Sequence, residues 1–184
     1  NEVMNNKVLL VSLWGNYNYG NKLQSYALKT LIEKMGYSVV VAKHDEPAPR
    51  LRTKIKKIAR TILGLKDIVE PRSIEREKYF EEFTNSYVDE SIIVKNFDAS
   101  RVDTSLFSAA VVGSDQVWRC EYVRHLSTVP FFFLDFAPES LRRKSISYAA
   151  SFGSDQWEGT LEETAICKEL IQQFKAVSVR EHSG

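Results

Sequence analysis

The run VLLVSLW at residues 8–14 is too continuously apolar for a strand with one wet face, and it predicts a strand covered on both sides, as in a parallel sheet. After a Gly/Asn loop, Leu23, Ala27, Leu31 and Met35 recur every fourth residue and Gly36 supplies a stop, which together predict a helix. YSVVVA at 37–42 predicts the next strand. Strand, helix and strand follow one another within about 35 residues, the spacing of a βαβ unit with a right-handed crossover.

From residue 45 to residue 105 the pattern is helical, with no convincing buried strand. RLRTKIKKIARTILGLK places Leu51, Ile55, Ile58 and Ile62 on one face, and a second stretch carries Tyr79, Phe80, Phe83 and Tyr87, a stripe expected to be core. Sheet-like runs return at AAVVG (109–113), FFFLDF (131–136), SISYAASFG (145–153) and AVSVRE (176–181). Between the last two, Thr160 and Glu163 form a T-x-x-E capping box that opens a helix through Leu161, Ala165, Leu170 and Phe174. The expected fold is therefore α/β: a doubly wound, largely parallel Rossmann-like sheet in a single domain over 1–184, with a helical insertion at about 46–105 between its second and third strands.

In such a sheet the loops after strands gather on one rim, where ligands of open α/β folds bind. Four polar clusters follow predicted strands: residues 15–22, 113–116, 151–154 and 180–184. In the first, Gly20 and Asn21 open a helix whose free N–H groups can face an anion, or the asparagines can satisfy a tight turn. It is not a phosphate-binding loop of the Walker type, because Asn21 stands where lysine is required, Lys22 comes one residue late and Leu23 cannot ligate magnesium. Nor is it GxGxxG, which argues against a dinucleotide. In the second cluster Ser114, Asp115 and Gln116 offer hydroxyl, carboxylate and amide beside Trp118, a set that can hold a sugar ring, with Asp115 as a proton acceptor; the alternative is an Asx-type loop with a packing tryptophan. Arg180 can contact a carboxylate or phosphate in two places at once, or serve as a structural partner of Glu181.

Composition narrows the classes. Twenty-five basic against 24 acidic residues give a net charge of +1, so no global field favours nucleic acid. Cys120 and Cys167 are far apart without CxxC spacing, which fits two buried thiols in a reducing compartment. His44, His125 and His182 are scattered, and neither a metal site nor a cofactor is expected. No apolar run approaches the roughly 20 residues of a spanning helix, and a cytoplasmic location is expected. Residues 50–66 carry seven bases (Arg50, Arg52, Lys54, Lys56, Lys57, Arg60, Lys66) and no acid. Such a helix can meet an anionic membrane surface at its inner face, or it can simply be a solvated face.

Taken in order, NYGNKLQSYAL, VVGSDQVW, FFFLDF, ISYAASFG and SVREHSG resemble the polysaccharide pyruvyl transferase family, over nearly the whole chain from residue 7 to residue 184. The resemblance is to the amino-terminal half, one of two Rossmann-like domains facing each other in a GT-B-like architecture, and it implies that the second domain is absent and that these residues alone are inactive. The implied reaction moves pyruvyl from phosphoenolpyruvate to sugar hydroxyls of a cell-surface or exported polysaccharide, the acceptor being a saccharide or lipid-linked saccharide. On the family's motifs, Arg180 falls on the arginine of SVRE, with Glu181 after it; Gly20 and Asn21 fall on the amino-terminal glycine loop; Ser114, Asp115 and Gln116 fall on GSDQ; and Ser151 falls in ISYAASFG. Asp115 and Arg180 are the expected catalytic residues, and Arg180, as the donor-binding candidate, binds substrate together with Gly20, Asn21, Ser114, Gln116, Ser151 and Glu181. Two other classes stay open: a noncatalytic module that binds an anionic sugar or nucleotide, and half of a nucleotide-sugar glycosyltransferase.

Overall fold

The computed structural model describes residues 6–14, 18–44, 71–88, 91–94, 102–125 and 128–183. Five strands form one parallel sheet: β1 (Lys7–Val11), β2 (Ser38–His44), β3 (Ser91–Val94), β4 (Ala109–Asp115) and β5 (Ile146–Ala150), in the order β3-β2-β1-β4-β5. The chain runs outward from β1 to β3 and returns to the other side of β1, so the order reverses between β1 and β4. At that switch the crossovers leave on opposite faces and open a crevice at the strands' carboxyl ends.

The continuous apolar reading of β1 holds because both its faces are covered. Leu9 and Val11 join Val40, Ala110 and Val112 in one core; Val8 and Leu10 join Val39, Val41 and Val111 in the other. Helix α1 (Tyr19–Lys34) closes the second core with Leu28 and Ile32. The first core is closed by α5 (Leu161–Ile171), which contributes Cys167 and Leu170, together with Phe174 and the segment around residues 129–141. Two single-turn helices complete that layer, α3 (Cys120–Val123) and α4 (Glu139–Arg142). The Thr160–Glu163 capping box is present at the start of α5, with each side chain bonded to the other residue's backbone N–H.

Several expectations are corrected. The α1 stripe read as apolar faces solvent, with Leu23 54%, Leu31 46% and Met35 68% exposed. The face turned inward carries Asn21, Lys22, Ser25 and Lys29 beside Leu28 and Ile32; Lys22 reaches the Phe80 carbonyl and Thr84, Ser25 bonds Ser12, and Lys29 pairs with Glu33 one turn along the helix. FFFLDF is not a strand: Val129–Phe133 is a 3₁₀ turn opened by Pro130, and Phe131, Phe132 and Phe133 point into the first core. Three aromatic side chains in succession can all be buried on a tight turn against a sheet, whereas a strand would send alternate ones to its other face.

AVSVRE forms only isolated parallel bridges to β5, at Ile146↔Ala176 and Ala150↔Val179. The region read as purely helical contains β3, a four-residue edge strand too short for a period. It also contains α2 (Pro71–Tyr87), as expected, but of its aromatic stripe only Phe80 is fully buried while Tyr79 and Tyr87 remain about half exposed. The basic stretch 50–66 lies outside the described residues. Among the described residues no helix is long and apolar enough to cross a membrane.

Candidate functional site at the carboxyl rim

The rim is tied together strand by strand. Beyond β1, the Ser12 hydroxyl donates to the Ser114 carbonyl at 3.2 Å, and Ser25 of α1 donates to the Ser12 hydroxyl at 2.9 Å. From β4 to β5, Ser151 N–H donates to the Asp115 carbonyl at 2.9 Å, and Trp118 N–H donates to the Ser151 carbonyl at 3.1 Å. On the far side of β5, Arg180 N–H donates to the Ala150 carbonyl at 3.0 Å. A short series of backbone bonds therefore carries residues 114–118, 151–153 and 180–181 to one place, although they come from three parts of the chain.

The Ser151 side chain is the hub. Its hydroxyl accepts from Arg180 Nη2 at 2.9 Å and from Gly153 N–H at 3.0 Å, and it donates to Glu181 Oε1. One donor and two acceptor positions are then all used, so Ser151 positions its neighbours rather than presenting a free hydroxyl. Arg180 Nε also lies 3.5 Å from Glu181 Oε1, while the arginine side chain remains 43% exposed. A guanidinium anchored at one end and open at the other is a usable anion site. Glu181 Oε2 is buried and has no partner.

Asp115 ends β4 at φ 99°, in the left-handed half of backbone space. Its Oδ1 accepts from Gln116 N–H at 2.8 Å, an Asx-type bond. The carboxylate is half-buried. Gly113 precedes it at φ 124°, where an added Cβ would stand 2.2 Å from the Tyr148 carbonyl oxygen; only glycine lets β4 pass β5 this closely.

The structure does not bring every expected residue to this group. Gly20 and Asn21 lie in the first turn of α1, and no hydrogen bond among the described residues joins them to Ser151, Arg180 or Asp115. The N–H of Gly20 is taken by the Asn18 side chain at 2.9 Å, so asparagine capping, one of the two readings open at this loop, accounts for that donor. Ser114 is turned toward β1 by its carbonyl bond to Ser12. Trp118 offers no sugar platform: it is 0% exposed, donates from Nε1 to the Phe132 carbonyl at 3.0 Å and stacks on Phe133. His182 is exposed at the end of the rim segment, and among the described residues no cluster of His, Cys, Asp or Glu is placed to hold a metal ion.

Two features escaped sequence reasoning. Lys22, dismissed as one residue late for a phosphate loop, is 2% exposed and donates to the Phe80 carbonyl at 3.2 Å and the Thr84 hydroxyl at 2.7 Å, with its Nζ about 5 Å from the Trp14 and Phe80 rings. It fastens α2 to the rim. Tyr19, Lys22, Leu23, Tyr79, Phe80 and Phe83 line a cleft of about 340 Å³ there. The second feature is Arg119, whose side chain lies against Gly153. Nothing in its spacing marked it out.

An open parallel sheet with helices on both faces and its polar loops gathered at the carboxyl rim makes this a Rossmann-like α/β fold. The chain belongs to the polysaccharide pyruvyl transferase family, whose model matches residues 18–184. No curated protein and no solved structure matches it.

Proposed function

We propose that this domain contributes the amino-terminal wall of a pyruvyl transferase site, binding phosphoenolpyruvate and presenting it to two hydroxyls of a saccharide or lipid-linked saccharide. The observation that carries the reading is Arg180, held through Ser151 next to Glu181 with its guanidinium still open. The chemistry asks for such a group. One sugar hydroxyl adds to the enol carbon and gives up its proton while the methylene carbon gains one; a second hydroxyl of the same sugar, losing its own proton, then replaces phosphate on that carbon and closes the ketal, and the negative charge on donor and leaving group needs a fixed cation.

Glu181, 3.5 Å from that cation, and Asp115, whose carbonyl accepts from Ser151 N–H, are the proton acceptors of this rim. Asp115 Oδ1 is occupied by Gln116 N–H, and no bond to Oδ2 is recorded among the described residues. The strained backbone at Asp115 accords with a residue held for function. Ser114 and Gln116 are assigned to substrate contact, Ser151 to positioning both Arg180 and Glu181. Gly20 and Asn21 belong to the acceptor side together with the aromatic cleft of Tyr19 and Tyr79. A peripheral membrane contact through the bases of residues 50–66 would suit a lipid-linked acceptor.

The test is a calorimetric titration of the chain with phosphoenolpyruvate and, separately, with a nucleotide sugar. Binding of the first that is lost in Arg180→Ala supports the proposal. Nucleotide-sugar binding in its place would make the domain half of a glycosyltransferase, and sugar binding indifferent to Arg180 would make it a noncatalytic module.

A further inference from the structure

We propose that Arg119 is a second anion-binding guanidinium of this rim, paired with Arg180 so that the site selects a small donor carrying both a phosphate and a carboxylate. This deepens the phosphoenolpyruvate reading and rests on it. Arg119 follows the buried Trp118, and its own N–H is fixed on the Gln116 carbonyl at 3.2 Å. Its side chain then runs over Gly153. A Cβ on that glycine would stand 2.7 Å from Arg119 Cδ and 2.9 Å from Gln116 Cδ, and Gly153 itself sits at φ 64°, where glycine is favoured. The missing side chain at residue 153 is what makes room for the arginine.

The electrostatics of Arg119 are incomplete. Nη1 has one long bond, 3.3 Å, to the neutral Gln116 Oε1, and Nε is buried with no partner. No carboxylate pairs with it among the described residues, whereas the next arginine along the chain, Arg124, is tied to Glu163 and to the Glu158 carbonyl. A half-buried cation left without counter-charge is costly unless something else supplies the charge.

What can supply it is set by the surroundings. Gly153 N–H and Arg180 Nη2 both donate to the Ser151 hydroxyl, so Arg119 and Arg180 border one three-residue turn. A ligand with a single anionic group is satisfied by the exposed Arg180 alone. Two guanidiniums around one turn suit two anionic groups borne on adjacent atoms, the arrangement in an enol phosphate that also carries a carboxylate.

The test titrates the 184-residue chain with phosphoenolpyruvate, with inorganic phosphate and with pyruvate as separate probes, on wild type, Arg119→Gln, Arg119→Lys and Arg180→Gln, with thermal melts confirming that each variant is folded. Wild type should bind phosphoenolpyruvate about tenfold or more tighter than either single-anion probe, and Arg119→Gln should abolish that advantage while phosphate still binds. Arg119→Lys keeps a charge but not the planar fork and should recover only part of it; it carries the test if Arg119→Gln does not fold. If both Arg119 variants hold phosphoenolpyruvate within about twofold of wild type while Arg180→Gln loses it, Arg119 has no role and the donor-site reading stands. If wild type binds no phosphoenolpyruvate, both fall.

Discussion

Arg180 Nη2 donates to the Ser151 hydroxyl at 2.9 Å across 29 residues of sequence, fixing the arginine side chain at the end of β5. The same oxygen accepts from Gly153 N–H, and its proton goes to Glu181. Ser151→Ala should therefore loosen both charged residues at once. We expect phosphoenolpyruvate affinity to fall by about tenfold and stability by about 1–3 kcal/mol, because Gly153 N–H loses its acceptor. Calorimetry and urea unfolding read the two effects separately, and Ser151→Thr, which keeps the hydroxyl, should restore most of the affinity.

Gly113 makes the sharpest steric prediction. Alanine there would place a Cβ 2.2 Å from the Tyr148 carbonyl oxygen at a φ of 124° that L-residues avoid. Neither backbone can yield without parting β4 from β5. Gly113→Ala should cost about 3 kcal/mol or more, enough to leave a domain of ordinary stability largely unfolded at 37 °C by circular dichroism.

Lys22 tests how α2 is held. Lys22→Ala removes its bonds to the Phe80 carbonyl and the Thr84 hydroxyl and empties the space between Trp14 and Phe80. A loss of about 2–4 kcal/mol is expected. Amide exchange should accelerate chiefly over residues 78–88; a uniform acceleration across the sheet would contradict a local docking role.

These three positions also show how far the sequence could be read. The apolar run of β1, the T-x-x-E box and the Gly36 stop are local signals, and each is where it was expected. What failed was non-local. The inward face of α1 looks polar because Lys22 and Ser25 are satisfied by Phe80, Thr84 and Ser12, partners that no helical periodicity reveals. The exposed Leu23, Leu31 and Met35 then mimic a core stripe. FFFLDF shows the limit of apolar runs, since a buried turn and a buried strand have the same composition. The rim assignment of residues 113–116, 151–154 and 180–183 needed only strand direction. Arg119 needed the shape of the Gly153 turn.

Acid should act through Glu163. The hydrogen-bonded Arg124 guanidinium holds its carboxyl at about 2, below its ordinary 4.5. A depressed carboxyl stabilises the folded state above the unfolded value, and that contribution fades as pH falls from about 4.5 through about 2. Glu163→Gln should flatten the pH dependence of the urea midpoint in that window and leave it sloping elsewhere.

Base should act through the thiols. Burial raises Cys120 to about 11 and Cys167 to about 12, from an ordinary 9. Raised thiols stabilise the folded chain below pH 9, and the contribution is lost as pH climbs through 11 to 12. At pH 8 both should resist a thiol reagent in the folded protein and react promptly in denaturant; prompt reaction of either in the folded protein would contradict their burial.

The central claim is that three remote segments form one anion-binding pocket. A titration of isotopically labelled chain with phosphoenolpyruvate, followed by backbone amide chemical shifts, tests it directly. Residues 114–119, 151–154 and 180–182 should shift together along one saturating curve, with the N-terminal edge around Thr104, Phe107 and Lys144 unmoved. Shifts confined to that opposite edge, or separate curves for the three segments, would contradict it.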